Sequence, residues 1–230
     1  SISKMECLIL MARILGVEES AYKEVALNAK DLYGAVASKQ NSTYATELAY
    51  LLYNGILQES DLSTYASSSN ANTELQRYQA AILMSKLLGA NTEAKSFSVA
   101  APTYPDDAEI PVSAKAYVEY VTEQDIMNGM ASTDGSATVF SPNTSLTRAQ
   151  MATLLSRMIT KINKTTYTAT VTDLDLKNNS ISVERNGSNA KRTINADTVV
   201  YLEGEKTTIS DLQEDDNILV VEINGHVQTI

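Results

Sequence analysis

A basic residue recurs at the same position in three similar segments of this chain. The segments align without a gap and are residues 2–16, 75–89 and 146–160. The cations at the shared position are Lys4, Arg77 and Arg148, and the residues two places later are Glu6, Gln79 and Gln150. An ammonium or guanidinium group can bind an anion, and Arg can hold a carboxylate through two parallel hydrogen bonds. The repeated pattern therefore indicates candidate sites for an acidic ligand.

Each of these cations is predicted to lie at the start of a helix. Thr147 is a suitable N-cap, Gln150 completes a capping box, and Leu146 before the cap can pack on Met151 after it. A helix N-terminus has unpaired N–H groups and a partial positive charge, so a cation beside it is unfavourable unless an anion is bound there. If a ligand supplies that anion, its acidic group is expected to contact Arg148, flanked by Thr147 and Gln150.

The other two copies share part of this pattern. Ser3 and Glu6 form a second capping box, whereas Gln76 stands at the cap position of the middle copy. That middle helix has an alternative start at Thr73, which would place Arg77 inside the helix. A second basic residue aligns near the end of each helix, where it complements the helix dipole. These residues are Arg13, Lys86 and Arg157.

Two interpretations of the repeated cations remain open. In the first, they bind a ligand together with the hydroxyl groups of Ser3 and Thr147 and the Glu or Gln side chains beside them. In the second, each cation pairs with a carboxylate of a neighbouring repeat and only fastens a helix bundle. In both, the aligned apolar faces should converge on one core around a common axis. These faces are Leu8, Met11, Ile14 and Leu15; Ala81, Met84, Leu87 and Leu88; and Ala152, Leu155, Met158 and Ile159.

Further elements must lie between the three segments. The copies begin at residues 2, 75 and 146, a period longer than that of the common helical solenoids, so each unit must hold more than one element. Helices are predicted over residues 20–40, 44–54 and 115–127, and the Ser- and Asn-rich residues 58–74 are predicted to form a loop. Residues 95–114 hold three of the four prolines and are predicted to be extended.

The pattern changes after about residue 163. Apolar and polar residues alternate there and β-branched residues dominate, which predicts short strands separated by Asn-, Gly- and Asp-rich turns. Five strands are predicted, at residues 166–176, 180–186, 191–204, 206–212 and 217–230. We expect a multidomain α+β protein, with an all-α repeat domain at 1–162 and a small all-β antiparallel sheet or barrel at 163–230. The joint at 160–166 holds little that could be buried, so the two domains are expected to pack independently.

Composition limits the classes of partner. The chain has 230 residues, of which 43% are hydrophobic, and a net charge of −10. This acidity argues against nucleic acid and against anionic membrane surfaces. No apolar run is long enough to span a bilayer, so no membrane insertion is expected. Because the sequence opens inside a repeat and ends inside a predicted strand, we expect it to be part of a longer chain.

Other chemistries have little support in the sequence. The single histidine, His226, cannot form a histidine-based triad with the predicted helices or a zinc cluster. Cys7 lies on an apolar helix face and is expected to be a buried thiol. The Asp and Asn residues at 173–179 lack the spacing of an EF-hand and are expected in a strand edge and turn. No glycine-rich phosphate loop occurs. We therefore expect no cofactor, no metal and no enzymatic activity.

Three motifs in the third repeat point to a known family. The sequence reads LTRAQ at 146–150, Phe140-Ser-Pro142 just before it, and IMNG at 126–129. In this combination the helical part resembles the S-layer homology domain of bacterial cell-surface proteins. The resemblance covers residues 2–160, although the chain has no tryptophan and its first unit lacks the Phe-x-Pro motif. The part from 163 on resembles small β modules that follow such domains in clostridial surface proteins.

The resemblance implies a fold and a function. The repeats would be arranged about a pseudo-threefold axis, in a secreted protein of the cell wall or S-layer of a Gram-positive bacterium. They would bind a secondary wall polysaccharide, often one that carries ketal pyruvate. The implied carbohydrate-binding residues are Arg148, Thr147, Gln150, Arg77, Gln79, Lys4, Ser3 and Glu6. Two alternatives remain open: an assembly role without polymer binding, including self-assembly, and the anchor region of a larger enzyme or adhesin.

Overall fold

The computed structural model describes all 230 residues, Ser1–Ile230. Eight α-helices occupy the first two thirds of the chain. They are α1 Lys4–Ile14, α2 Lys23–Gln40, α3 Ala45–Tyr53, α4 Glu59–Tyr65, α5 Arg77–Leu87, α6 Asn91–Ser96, α7 Lys115–Glu123 and α8 Arg148–Ile159. A two-stranded hairpin, β1 Met130–Ala131 and β2 Thr138–Val139, lies between α7 and α8. No helix is both long and apolar enough to cross a membrane.

The rest of the chain consists of antiparallel strands. They are β3 Lys164–Asp175, β4 Ser180–Arg185, β5 Ser188–Thr193, β6 Val200–Leu202, β7 Glu205–Thr207, β8 Asn217–Ile223 and β9 His226–Thr229. Five of them form one sheet in the order β5-β4-β3-β8-β9, and β6 pairs with β7 separately. The expected α+β class is therefore confirmed. Below, the helical part is residues 1–162 and the strand part is residues 163–230.

The three repeat helices start as the repeat pattern predicts. Ser3 Oγ accepts a hydrogen bond from Glu6 N at 3.2 Å, and Thr147 Oγ1 accepts one from Gln150 N at 3.1 Å. The alternative start of the middle helix at Thr73 is wrong. Gln76 has extended backbone angles and its N–H donates to Gln79 Oε1 at 3.2 Å, so the helix begins at Arg77.

A closed ring of backbone hydrogen bonds joins the residues that precede the three N-caps. Ile2 N donates to Leu146 O at 2.9 Å, Leu146 N donates to Leu75 O at 2.9 Å, and Leu75 N donates to Ile2 O at 3.0 Å. All three side chains are buried. The pairing keeps the backbone extended before each cap, which is why the middle helix cannot start earlier. The N-termini of α1, α5 and α8 therefore lie side by side.

The apolar faces of the repeat helices are not equally covered. Leu15, just after α1, and Leu88, just after α5, are buried. The aligned Ile159 of α8 is instead 61% exposed, and Ala152 is also exposed. The prediction that all three faces lie in the core is therefore wrong for part of α8. The reason is the chain order: α3 packs on α1 and α7 packs on α5, whereas α8 is followed by a strand.

Four local predictions also need correction. Residues 58–74 contain α4 instead of only a loop, because Asp61 accepts a hydrogen bond from Gln58 N at 2.8 Å and Leu62 is buried. Residues 95–114, predicted to be extended, instead contain the end of α6 and two short 3-10 turns. The predicted strands at 191–204 and 217–230 are each interrupted, the second by a turn at Asn224 and Gly225, which both have positive φ.

The strand part does not pack independently of the helical part, and this expectation is wrong. Val221 and Ile223 of β8 belong to the large core formed by the helices, while a second, smaller core lies within the sheet. Tyr201 of the strand part stacks on Tyr53 of α3 with ring centroids 5.3 Å apart. Secondary structure changes between Ile159 and Lys164, as expected. A division into domains at residue 162 stays a prediction.

Candidate functional site

Two grooves bring the repeated residues together across neighbouring helices. The α5/α8 groove, about 190 Å³ in volume, is lined by Arg77 of α5 and by residues of α8. The α8/α1 groove, about 400 Å³ in volume, is lined by Arg148 of α8 and by residues of α1. In both grooves, the first cation of one helix faces the third, sixth and tenth residues of the next. These residues are Gln150, Thr153 and Arg157 in the first groove and Glu6, Ile9 and Arg13 in the second.

Arg77 forms the buried side of the α5/α8 groove. It is only 6% exposed, its Nε donates to Phe140 O at 2.6 Å, and one terminal nitrogen donates to Asn128 O at 2.9 Å. The guanidinium also lies over the Phe140 ring, 4.9 Å from the centroid. Burial lowers the pKa of Arg77, although an arginine stays charged in proteins. Arg77 therefore ties α5 to the loop before α8 and keeps a positive charge in the groove.

Arg157 and Gln150 form the opposite wall. Arg157 donates from one terminal nitrogen to Ile126 O at 2.8 Å and makes no ion pair. Gln150 uses its side-chain oxygen to accept from Thr147 N at 2.9 Å, which leaves its NH₂ group as a donor. No Asp or Glu lines this groove. It therefore combines two guanidinium groups and an amide with no carboxylate in its lining, although the charge of Asp106, outside the lining, acts on Arg77.

The α8/α1 groove is electrostatically different. Arg148 donates to the Glu6 carboxylate, whose other oxygen accepts from Ser3 N at 2.8 Å. The hydrogen bond from the Ser3 backbone and the charge of Arg148 hold the pKa of Glu6 below its usual value. Arg13 lies 3.7 Å from Glu18. Both cations of this groove therefore face a carboxylate of the protein itself.

Four of the predicted site residues line the two grooves: Arg77 and Gln150 in one, and Arg148 and Glu6 in the other. Gln150 lines the groove of Arg77, so Arg148 is not flanked by both Thr147 and Gln150 on a common ligand surface. The hydroxyl groups of Ser3 and Thr147 both accept capping hydrogen bonds. The Lys4 side chain is half-buried and has no ion pair or hydrogen bond.

The middle repeat uses its remaining polar residues inside the structure. Gln79 is 6% exposed and accepts from Gln76 N. Lys86 is 8% exposed and pairs with Asp61 at 2.6 Å. The groove residues missing from the predicted set are Met127, Asn128, Gly129, Leu146, Thr153, Leu154 and Arg157. The alignment of Arg13, Lys86 and Arg157 is the sequence signal for Arg157, although compensation of the helix dipole explains that alignment equally well.

The chemistry of the α5/α8 groove suits a small acidic group. Two guanidinium groups can donate hydrogen bonds to one carboxylate, and the Gln150 amide and Thr153 hydroxyl can form hydrogen bonds with the hydroxyl groups of a sugar. No cluster of His, Cys, Asp and Glu in the structure has the composition of a metal site. The groove therefore presents arginine and neutral polar side chains without an acidic group in its lining.

Comparison with known proteins identifies part of the helical region. The family model of the S-layer homology domain matches residues 103–152, which contain α7, the β1–β2 hairpin and the first turns of α8. This stretch contains five residues of the α5/α8 groove, but Arg77 and Arg157 lie outside it. The five are Met127, Asn128, Gly129, Leu146 and Gln150. Searches of curated proteins and of solved structures found no match. The chain therefore carries an S-layer homology domain, as the LTRAQ and IMNG motifs predict.

Proposed function

We propose that this protein, as the carrier of an S-layer homology domain, attaches without covalent bonds to an anionic secondary polysaccharide of the bacterial cell wall. S-layer homology domains are generally modules that anchor proteins at the cell surface. The proposal adds the ligand chemistry: an acidic sugar substituent such as ketal pyruvate. It also places the protein outside the cell and gives it a binding role without catalysis.

The α5/α8 groove is the observation that carries this proposal. Arg77 and Arg157 face a small cavity that no carboxylate enters, in a chain whose net charge is −10. Neither arginine makes an ion pair, and both face the same cavity, so two positive charges in one groove favour an external anion. The carboxylate of a pyruvate ketal would lie between them, with the sugar against Gln150 and Thr153.

A pseudo-threefold arrangement of the repeats is part of the proposal. The ring of hydrogen bonds through Ile2, Leu75 and Leu146 supports it, because each repeat donates to the next in one direction. The equivalent positions in the two grooves support it as well. Under this arrangement the two grooves differ in charge, and the α5/α8 groove takes the acidic group most readily. In the α8/α1 groove, a ligand carboxylate would first have to displace Glu6 from Arg148.

A second candidate is a structural or assembly role without polymer binding. The Arg148–Glu6 and Lys86–Asp61 pairs favour it, because there the repeated cations fasten elements to each other. Both roles are compatible with an anchor that belongs to a larger enzyme or adhesin.

Sedimentation with purified walls separates the two roles. The protein is mixed with walls that keep their secondary polymer and with walls from which it has been extracted. Anchoring predicts that the protein pellets with the first and stays in solution with the second. Equal behaviour with both preparations would favour the assembly role and contradict polymer binding.

A further inference from the structure

A second cavity lies away from the arginine grooves, where the helical and strand parts meet. It is a cleft of about 540 Å³ between α2 and the segments around β6 and β8, here called the α2/β8 cleft. Clefts at the junction of two structural parts are frequent binding sites, and this volume is in the range of known ligand pockets. None of the residues of the proposed wall-binding site lines it.

The walls of the α2/β8 cleft are held at a fixed separation. The Tyr201 hydroxyl donates to the Tyr33 hydroxyl of α2 at 2.7 Å, and the Tyr201 ring stacks on Tyr53 with an interplanar angle of 8°. The two walls come from segments distant in sequence, so this contact sets the width of the cleft. The cavity is therefore formed before any ligand arrives.

The cleft combines an apolar interior with an acidic rim. Leu212 and Ile218 are buried in its floor, and Leu202 at its edge is 39% exposed. The carboxylates of the rim come from three separate elements and make no ion pair within the chain. They are Asp31 of α2, Glu203 of the β6–β7 turn, and Asp216 before β8. No Lys, Arg or His lines the cleft.

We propose that the α2/β8 cleft binds a peptide segment in which lysine stands beside aliphatic residues. The aliphatic side chains would be buried against Leu212 and Ile218, and the ammonium groups would reach the carboxylates of the rim. A net charge of −10 accounts for many solvated carboxylates on the surface. The net charge does not explain why three carboxylates surround one apolar cleft that no Lys, Arg or His lines. The acidic rim and the apolar floor together favour a peptide that has both cationic and aliphatic side chains.

The test uses the full chain and a pair of capped tetrapeptides of alternating leucine and lysine. In one peptide the lysines are free, and in the other both are acetylated, so the two differ in charge but hardly in size. Amide chemical shifts of the isotope-labelled protein are followed during titration. The lysine peptide is expected to shift amides at 201–204 and 216–219 and to bind more weakly as salt is added. The acetylated peptide is expected to leave them unchanged.

Two double variants separate the cleft from the general acidity of the chain. Asp31→Asn with Glu203→Gln removes two exposed rim charges and is expected to lower the affinity for the lysine peptide about fivefold or more. Glu109→Gln with Glu123→Gln removes two exposed charges that do not line the cleft, and is expected to leave affinity unchanged. The proposal is overturned if the lysine peptide does not bind, if both peptides bind alike, or if the two double variants weaken binding equally.

Discussion

The guanidinium of Arg148 is paired with the carboxylate of Glu6, which joins the last repeat helix to the first. At the equivalent place in the α5/α8 groove, Arg77 and Gln150 line the same cavity without such a pair. The difference between the two grooves thus comes from Glu in one repeat and Gln in another. This difference between Glu and Gln determines whether the arginine facing it is free to pair with an external anion.

Replacing Glu6 with Gln is expected to strengthen binding to the wall polymer. The change gives α1 the residue that α8 carries at the same position, and Gln can still accept the Ser3 N–H as Gln150 accepts that of Thr147. Arg148 then loses its partner and becomes available to the ligand. We expect a gain of about threefold or more in affinity, the scale of one exposed ion pair. Calorimetry with purified polymer measures it.

The matched control for this variant is Glu123→Gln, which makes the same change of charge at an exposed residue outside both grooves. Its affinity should equal that of the wild type. If Glu6→Gln binds no better than this control, Arg148 takes no part in binding.

Much of this architecture follows from the sequence because local signals fix it. Ser3 with Glu6 and Thr147 with Gln150 determine where two helices start, and alternation determines the strand part. The α4 helix is not evident from the sequence because its buried residues, Leu62 and Tyr65, are few among serines. The pairing of Arg148 with Glu6 could be named only as an alternative, since the residues are far apart in sequence and no local rule joins them. The docking of β8 on the helices, through Val221 and Ile223, depends on the same kind of long-range contact.

Arg77 is expected to be structurally required, in contrast to its repeat counterpart Lys4. Arg77→Ala leaves Phe140 O and Asn128 O without their donor, and loss of buried hydrogen bonds costs about 1–3 kcal/mol each. Lys4→Ala removes a side chain without hydrogen bonds and should change stability by less than about 0.5 kcal/mol. Urea unfolding measures both. Equal stability of the two variants would show that the Arg77 contacts contribute little.

Lys164 should make stability depend on pH in the alkaline range. Its ammonium lies 3.9 Å from the centroid of the Tyr22 ring and donates to Leu15 O at 3.1 Å. Burial lowers its pKa to about 7, against the opposing charge of Glu19. Above this value the folded protein binds fewer protons than the unfolded chain, in which the lysine pKa is about 10.4. The free energy of unfolding should therefore rise with pH between these values.

The control for this effect is Lys164→Met, which removes the titrating group. Its unfolding free energy should rise less between pH 7 and pH 9.5, and the difference in slope is at most about 1.4 kcal/mol per pH unit for one proton. Below pH 7 the two slopes should agree, because the lysine is then charged in both states. Parallel curves across the whole range would contradict the assigned shift.

Gly89 should be essential for docking of the strand part on the helices. It has φ of +71°, and a Cβ atom there would lie 2.7 Å from Gln228 Nε2 and 3.1 Å from Ile223 Cβ. Gly187 also has positive φ, +78°, but nothing lies within 4 Å of its Cβ position. Gly187→Ala should cost about 1–2 kcal/mol from backbone strain alone. Gly89→Ala should cost clearly more in thermal unfolding, and equal losses would mean that β8 and β9 can shift away freely.

The most direct test of the proposed wall-binding site compares Arg157→Gln with Arg13→Gln, which occupy the same repeat position in the two grooves. Calorimetry is run with purified wall polymer before and after removal of its acidic substituent, and thermal melts verify that both variants are folded. We expect Arg157→Gln to lose about 1.5–3 kcal/mol of binding free energy, the scale of a hydrogen bond to a charged group. Arg13 is paired with Glu18, so the Arg13→Gln variant should bind like the wild type. The polymer without its acidic group should bind none of the three proteins tightly. Wild-type affinity in a folded Arg157→Gln variant, or equal affinity for both polymers, would contradict an anion site in the α5/α8 groove.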